Sequence, residues 1–144
     1  MASARHFFSE EEKQLLLRAI EEAELKTSGE IRVHLENYCF GSPIGAARRI
    51  FNKLGMNRTA ERNGVLFYIA VKSRKIAVWG DEGIHQKLGE VYWNNIIAEL
   101  LKEFKADNRA ASLAQAIQKC GKELGAYFPH SADDKNELNN ELSF

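Results

Sequence analysis

Seven consecutive apolar residues, Val65-Leu66-Phe67-Tyr68-Ile69-Ala70-Val71, constrain this chain more than any other stretch. Successive side chains of a strand point to opposite faces, so a strand with one wet face alternates apolar and polar residues. A run without alternation needs apolar cover on both faces and reads as a central, doubly buried strand. Everything else in the sequence has to be arranged around that requirement.

The flanking segments supply the arrangement. Lys72-Ser73-Arg74 is a short polar connection into a second apolar run, Lys75 to Trp79, so these two strands form a hairpin. Upstream, Ile31, Val33 and Leu35 alternate with Arg32, His34 and Glu36, the pattern of a half-buried strand. Between them, Ser42-Pro43 provides an N-cap and a favoured first helical residue, and Ile44, Ala47, Phe51 and Leu54 recur at helical spacing. A strand, helix, strand order in one sheet is a right-handed crossover that makes its two strands parallel.

The remaining segments are helical. Ser9 followed by Glu12 is a capping-box pattern before the stripe Leu15, Leu16, Ala19, Ile20 and Ala23. Trp93, Ile96, Ile97, Leu100, Leu101 and Phe104 make a later stripe; Leu113, Ile117, Cys120, Leu124 and Tyr127 make the last. The expected fold class is therefore α/β: a small mixed sheet, built from a parallel βαβ unit plus an antiparallel hairpin strand, sandwiched between helices. At 144 residues the chain is long enough for one core without disulfides, a single domain over residues 1–129. Residues 130–144 are polar and acidic and read as a disordered or loosely attached tail.

Composition excludes several function classes. The formal net charge is zero, which removes an overall bias toward nucleic acid or anionic membranes. Basic residues do concentrate between Arg48 and Lys75, either as an anion-attracting side or as a solvated helix face, and the hairpin tip Lys72, Arg74 and Lys75 lacks the interleaved aromatics of a nucleic-acid surface. No segment is long and apolar enough to span a bilayer or to act as a signal peptide. The chain thus reads as a soluble, reduced, cytoplasmic monomer with a protein partner.

Chemistry-bearing motifs are few. Cys39 and Cys120 fit no metal spacing, and Cys120 falls on an apolar stripe. The four histidines form no paired zinc motif, no serine sits in a nucleophile elbow, and the glycines match neither a Walker nor a dinucleotide pattern. Trp79 and Trp93 are expected to pack in the core.

Topology raises one candidate site. If the hairpin strand runs against the two parallel strands, it must finish where they begin. Residues 28–30, 61–64 and 80–83 then converge on one end of the sheet and offer Glu30, Glu61, Asn63, Asp81 and Glu82. Carboxylate, amide and carbonyl oxygens without His or Cys suit a hard cation, calcium before magnesium. The alternative is a solvated turn, Gly80-Asp81-Glu82-Gly83, flexible between its glycines. The cations of the hairpin tip, Lys72, Arg74 and Lys75, fall at the other end.

The segments at 27–36, 62–71, 75–84 and 104–117 together resemble the TPM domain, a family named for a thylakoid lumen protein, a photosystem II associated protein and an acetylcholine receptor auxiliary subunit. The resemblance implies a helix-flanked mixed sheet with an acidic cleft that holds calcium in some members. By matching position it makes Asp81 and Glu82 the leading ligand candidates, with Glu30, Asn63 and Asp107 as neighbours. It also implies two functions: a calcium-binding, non-enzymatic binding or assembly module, or a metal-dependent acid phosphatase-like hydrolase. Many members read Gly-Tyr-Gly where this chain has Gly80-Asp81-Glu82-Gly83, a departure that touches any transferred catalytic role.

Overall fold

The computed structural model describes residues 3–130 and 142–144. Its strands are β1 (Ile31–Glu36), β2 (Val65–Ala70), β3 (Lys75–Gly80) and β4 (Leu142–Ser143); its helices are α1 (Glu10–Glu24), α2 (Pro43–Lys53), α3 (Glu82–Lys105) and α4 (Arg109–Tyr127). The strands form one sheet in the order β3-β2-β1-β4. As the sequence requires, β2 is central: it runs parallel to β1, antiparallel to β3, and all six of its residues are buried.

Both faces of β2 are covered, by different elements. Val65, Phe67 and Ile69 join the larger core with residues of α1, α3 and α4, whereas Leu66, Tyr68 and Ala70 meet α2. The helices begin where their caps place them. Ser9 Oγ accepts from the Glu12 N–H at 3.1 Å while Glu12 Oε1 accepts from the Ser9 N–H at 2.9 Å, closing the capping box; Ser42 caps α2 ahead of Pro43. Three expected stripe residues turn outward: Leu15, Ile44 and Tyr127 are 38%, 44% and 46% exposed, the last at the end of its helix.

Two glycines adjust the helical layer. Gly89, at φ 80°, interrupts α3 in a backbone region that side chains with a Cβ resist. Gly121 lies where α4 crosses α1: a Cβ there would sit 2.5 Å from the Ala23 Cβ and 2.8 Å from its Cα. Gly121→Ala is expected to lose stability by about 1–3 kcal/mol through overpacking, outweighing its helix-propensity gain of about 1 kcal/mol. Urea denaturation measures the difference; an unchanged midpoint would mean the helices separate freely.

Of the expected tail, residues 131–141 lie outside the described residues. Leu142 and Ser143, however, pair in parallel with Val33 and His34 and close the β1 edge. Arg5 and Lys13 lie 5.2 and 5.6 Å from the Phe144 ring centroid. His34 is 5% exposed, with Nδ1 at 2.7 Å from Ser143 Oγ and Nε2 at 3.1 Å from Glu36 Oε1. Burial holds the imidazole below its ordinary 6.5 against the opposing pull of Glu36, with Lys53 and Arg32 adding to the lowering. The unfolded chain therefore takes up this proton more readily than the folded one, and stability falls as pH drops below 6.5 until the folded-state value is passed. Thermal unfolding should show a steeper acid loss in the wild type than in His34→Gln; parallel pH profiles would remove His34 from the account.

Candidate functional site

The three segments that topology places at one sheet end do meet there. Val65 N–H donates to the Glu30 carbonyl, and Asp81 N–H donates to the Gly64 carbonyl, at 2.8 and 2.9 Å. Asn63 Nδ2 donates to Ser28 Oγ at 3.2 Å, tying the second segment to the first. Gly83 N–H donates to the Arg62 carbonyl at 2.8 Å. The approach at Gly83 is so close that a Cβ would run into the carbonyl oxygens of Glu61 and Arg62.

This packing corrects the picture of a flexible acidic turn. Gly80 ends β3, Asp81 is the N-cap of α3 and Glu82 is its first residue. Asp81 is 4% exposed. Its Oδ1 accepts from the Glu82 N–H at 2.8 Å and from Arg62 Nη2 at 2.9 Å, while Oδ2 accepts from Arg62 Nε at 2.8 Å. That is the bidentate fork that a guanidinium makes with a carboxylate. Arg62 adopts a left-handed backbone, φ 53°, which turns its carbonyl to Gly83 while its side chain reaches Asp81. The hydrogen bonds and charge of Asp81 raise the Arg62 pKa further above its ordinary range.

As arranged, these residues do not fit a calcium cage. Both Asp81 oxygens are engaged by Arg62, and Glu82 is exposed beyond the helix cap. Glu30 and Asn63 are buried, at 3% and 2%, beneath the edge. Asp107 lies elsewhere: it sits in the α3–α4 turn at φ 60°, 3.7 Å from Arg109. Its neighbours Lys105 and Arg109 line a cavity of about 340 Å³ with Arg74, Lys75 and Phe7, at the hairpin end of the sheet. Asp107 therefore terminates a helix and does not join Asp81. Among the described residues, no group of three or more His, Cys, Asp or Glu is placed to hold one metal ion.

The acidic end opens onto a groove of about 700 Å³ that follows β3 between α2 and α3. Arg62, Asp81, Glu82 and His85 line one end; Arg48 and Trp79 lie along the α2 side. Trp93 is a core residue at 4% exposure, but Trp79 is only partly buried, so the expectation of two core tryptophans holds for one. Cys120 is fully buried, and desolvation pushes its thiol up to about 12, well away from thiolate chemistry at neutral pH.

One constellation escaped sequence reasoning. Ser143, His34 and Glu36 are hydrogen-bonded in series, and the Tyr68 hydroxyl donates to the second Glu36 oxygen. The order resembles nucleophile, base and carboxylate, yet the groove along β3 and the cavity under the hairpin do not reach it. Its evident work is to fasten β4 to β1. No sequence signal could reveal it, since Ser143 is 109 residues from His34.

The hairpin end has opposite chemistry. Lys75 Nζ donates to the carbonyls of Cys39 and Gly41 at 3.0 and 3.1 Å, and the Cys39 N–H donates to Ser73 Oγ at 2.9 Å. One of the three tip cations is thus a clamp on the β1–α2 loop.

Comparison with known proteins agrees with this architecture. The TPM domain family matches residues 2–123. The NMR structure of the BA42 protein from the psychrophilic bacterium Bizionia argentinensis is 36% identical, with a TM-score of 0.88 and 99% of each chain covered. The N-terminal domain of a P. gingivalis protein, 15% identical at TM-score 0.69, covers 86% of this chain and 82% of its own. The N-terminal domain of cg2496 from Corynebacterium glutamicum is 12% identical at TM-score 0.61, covering 93% and 78%; these two likenesses concern the fold alone. No functionally curated protein matches. With a family match over most of its length and the helix-flanked mixed sheet in place, this chain belongs to the TPM domain family.

Proposed function

We propose that this chain is a non-catalytic binding module, with the β3 groove as its recognition surface and the Arg62–Asp81 pair as its charged end. The observation that carries this reading is the pairing itself. A carboxylate whose oxygens already accept two guanidinium N–H bonds and one backbone N–H is held in place by those contacts and is poorly placed to take a substrate proton or attack a substrate. The other titratable groups of the groove, Glu82, His85 and Glu90, are exposed and make no hydrogen bond to one another among the described residues. Nothing there orients a nucleophile against a base.

A phosphatase-like hydrolase would need a metal to polarise the phosphoryl oxygen and a free cationic clamp beside it. The cation bonded to Asp81 is already committed to it, and Arg48, the other cation lining the groove among the described residues, stands over Trp79 on the α2 side. The tip cations Lys72, Arg74 and Lys75 flank the β2–β3 turn, at the opposite end of the sheet. Turnover of p-nitrophenyl phosphate is therefore expected at the buffer rate with or without calcium. Turnover that disappears in Asp81→Asn would replace this reading with the hydrolase.

Calcium, in the same reading, reaches Asp81 and Glu82 only in exchange for the Arg62 guanidinium. Two like charges left side by side repel and favour a divalent ion, so removing the guanidinium should strengthen binding. In an amide NMR titration, Arg62→Gln is expected to give saturable shifts at residues 81 and 82 at lower calcium than the wild type, and Arg62→Gln with Asp81→Asn none. Equal responses in all three proteins would sink the exchange.

A further inference from the structure

The two edges of this sheet are treated differently. The chain closes the β1 edge itself, by adding Leu142 and Ser143 as β4. It leaves β3 as the other edge, with no further strand beside it among the described residues. Open edges are commonly blunted by charge, proline or a bulge. Within β3 the one charged residue is Lys75, at the hairpin end, and the register from Lys75 to Gly80 is unbroken.

The backbone of this edge can be assigned residue by residue. Asp81 N–H donates to the carbonyl of Gly64, the residue it faces when the register of Val65 with Gly80 is continued by one. In an antiparallel ladder such bonded pairs alternate with unbonded ones. Lys75, Ala77 and Trp79 therefore turn their N–H and C=O groups toward β2, and Ile76, Val78 and Gly80 turn theirs away from the sheet, into the 700 Å³ groove.

The groove walls specify what could lie there. On the Ala77 and Trp79 side stands α2, which carries Arg48, Arg49 and Lys53 and no acidic residue. The Arg48 guanidinium lies 5.8 Å from the Trp79 ring centroid and makes no ion pair among the described residues. On the Ile76 and Val78 side, the partly buried Ile97 of α3 presents apolar surface, backed by the largely buried Trp93. A strand alternates its side chains between these walls. A second copy of the chain would bring its own α2 and α3 against the same walls, so the slot favours a single extended segment.

The geometry points to strand addition at β3 by an extended peptide of about five residues, ~17 Å long, whose acidic side chains face Arg48 and whose apolar side chains face Trp93 and Ile97. Main-chain hydrogen bonds to Ile76, Val78 and Gly80 hold the segment, and the alternating side chains select it. The proposal rests on the binding-module reading above but not on its cation.

The test is an amide NMR titration of the full chain with acetyl-VEVEV-amide, in chelator and in calcium. The expected result is shifts centred on residues 76–80, with slowed hydrogen exchange at the Ile76, Val78 and Gly80 amides. A peptide N-methylated at its edge-facing amides should lose this binding. Arg48→Glu, an exposed substitution that leaves the core alone, should weaken the acidic peptide about tenfold and favour acetyl-VKVKV-amide instead. Equal binding of the N-methylated peptide would overturn strand addition. So would calcium shifts at residues 81 and 82 with no peptide response, or concentration-dependent protection of the same three amides without peptide, which assigns the edge to a second copy.

Discussion

Between Val65 and Ala70 the backbone is bonded to a parallel strand on one side and an antiparallel strand on the other, and every side chain is buried. A strand in that position cannot tolerate polar residues on either face, because each would need a buried partner. It also forces two separate apolar layers. The larger is built by α1, α3 and α4, and the smaller by α2, which reaches the sheet through the crossover between β1 and β2. The direction of β2 then decides which chain ends meet: its start brings together residues near 30, 63 and 81, and its end brings Val71 and Lys72 to Glu36 and Asn37.

From that one arrangement follows the chemical polarity of the molecule. At the start of β2 a carboxylate caps a helix and holds an arginine; at its end a lysine grips two loop carbonyls. Both charges are used to fasten segments, which is what the proposed binding-module reading builds on; a hydrolase leaves charge unspent until the reaction develops its own. What remains unspent is the backbone of β3. Its companion edge on β1 is covered by the chain's last residues and pinned through His34, so the two edges of the sheet differ in availability rather than in kind.

Much of the fold was legible because its signals are local. The capping box at Ser9, the Ser42-Pro43 helix start, the alternation of β1 and the unbroken apolar run of β2 each declare an element within a few residues, and the crossover rule then orders the strands. The same rule brought Glu30, Asn63 and Asp81 to one edge. It did not show what they do there. Asp81 followed by a helix is a cap that its residue type could have announced, but the two flanking glycines argued for a loop.

Sequence by itself determined three of the four strands, the four helices apart from the start of α3, the central place of β2 and the edge on which the acidic residues gather, since hydrophobic periodicity and capping act over a turn or a strand pair. Tertiary structure alone decided that Arg62 occupies Asp81, that Asp107 belongs to the opposite end, and that Ser143 closes β1 through His34. The first and last are pairings across 19 and 109 residues, and all three are set by where rigid elements pack. A side chain's type states what it can bind; only the packed fold decides which partner reaches it first.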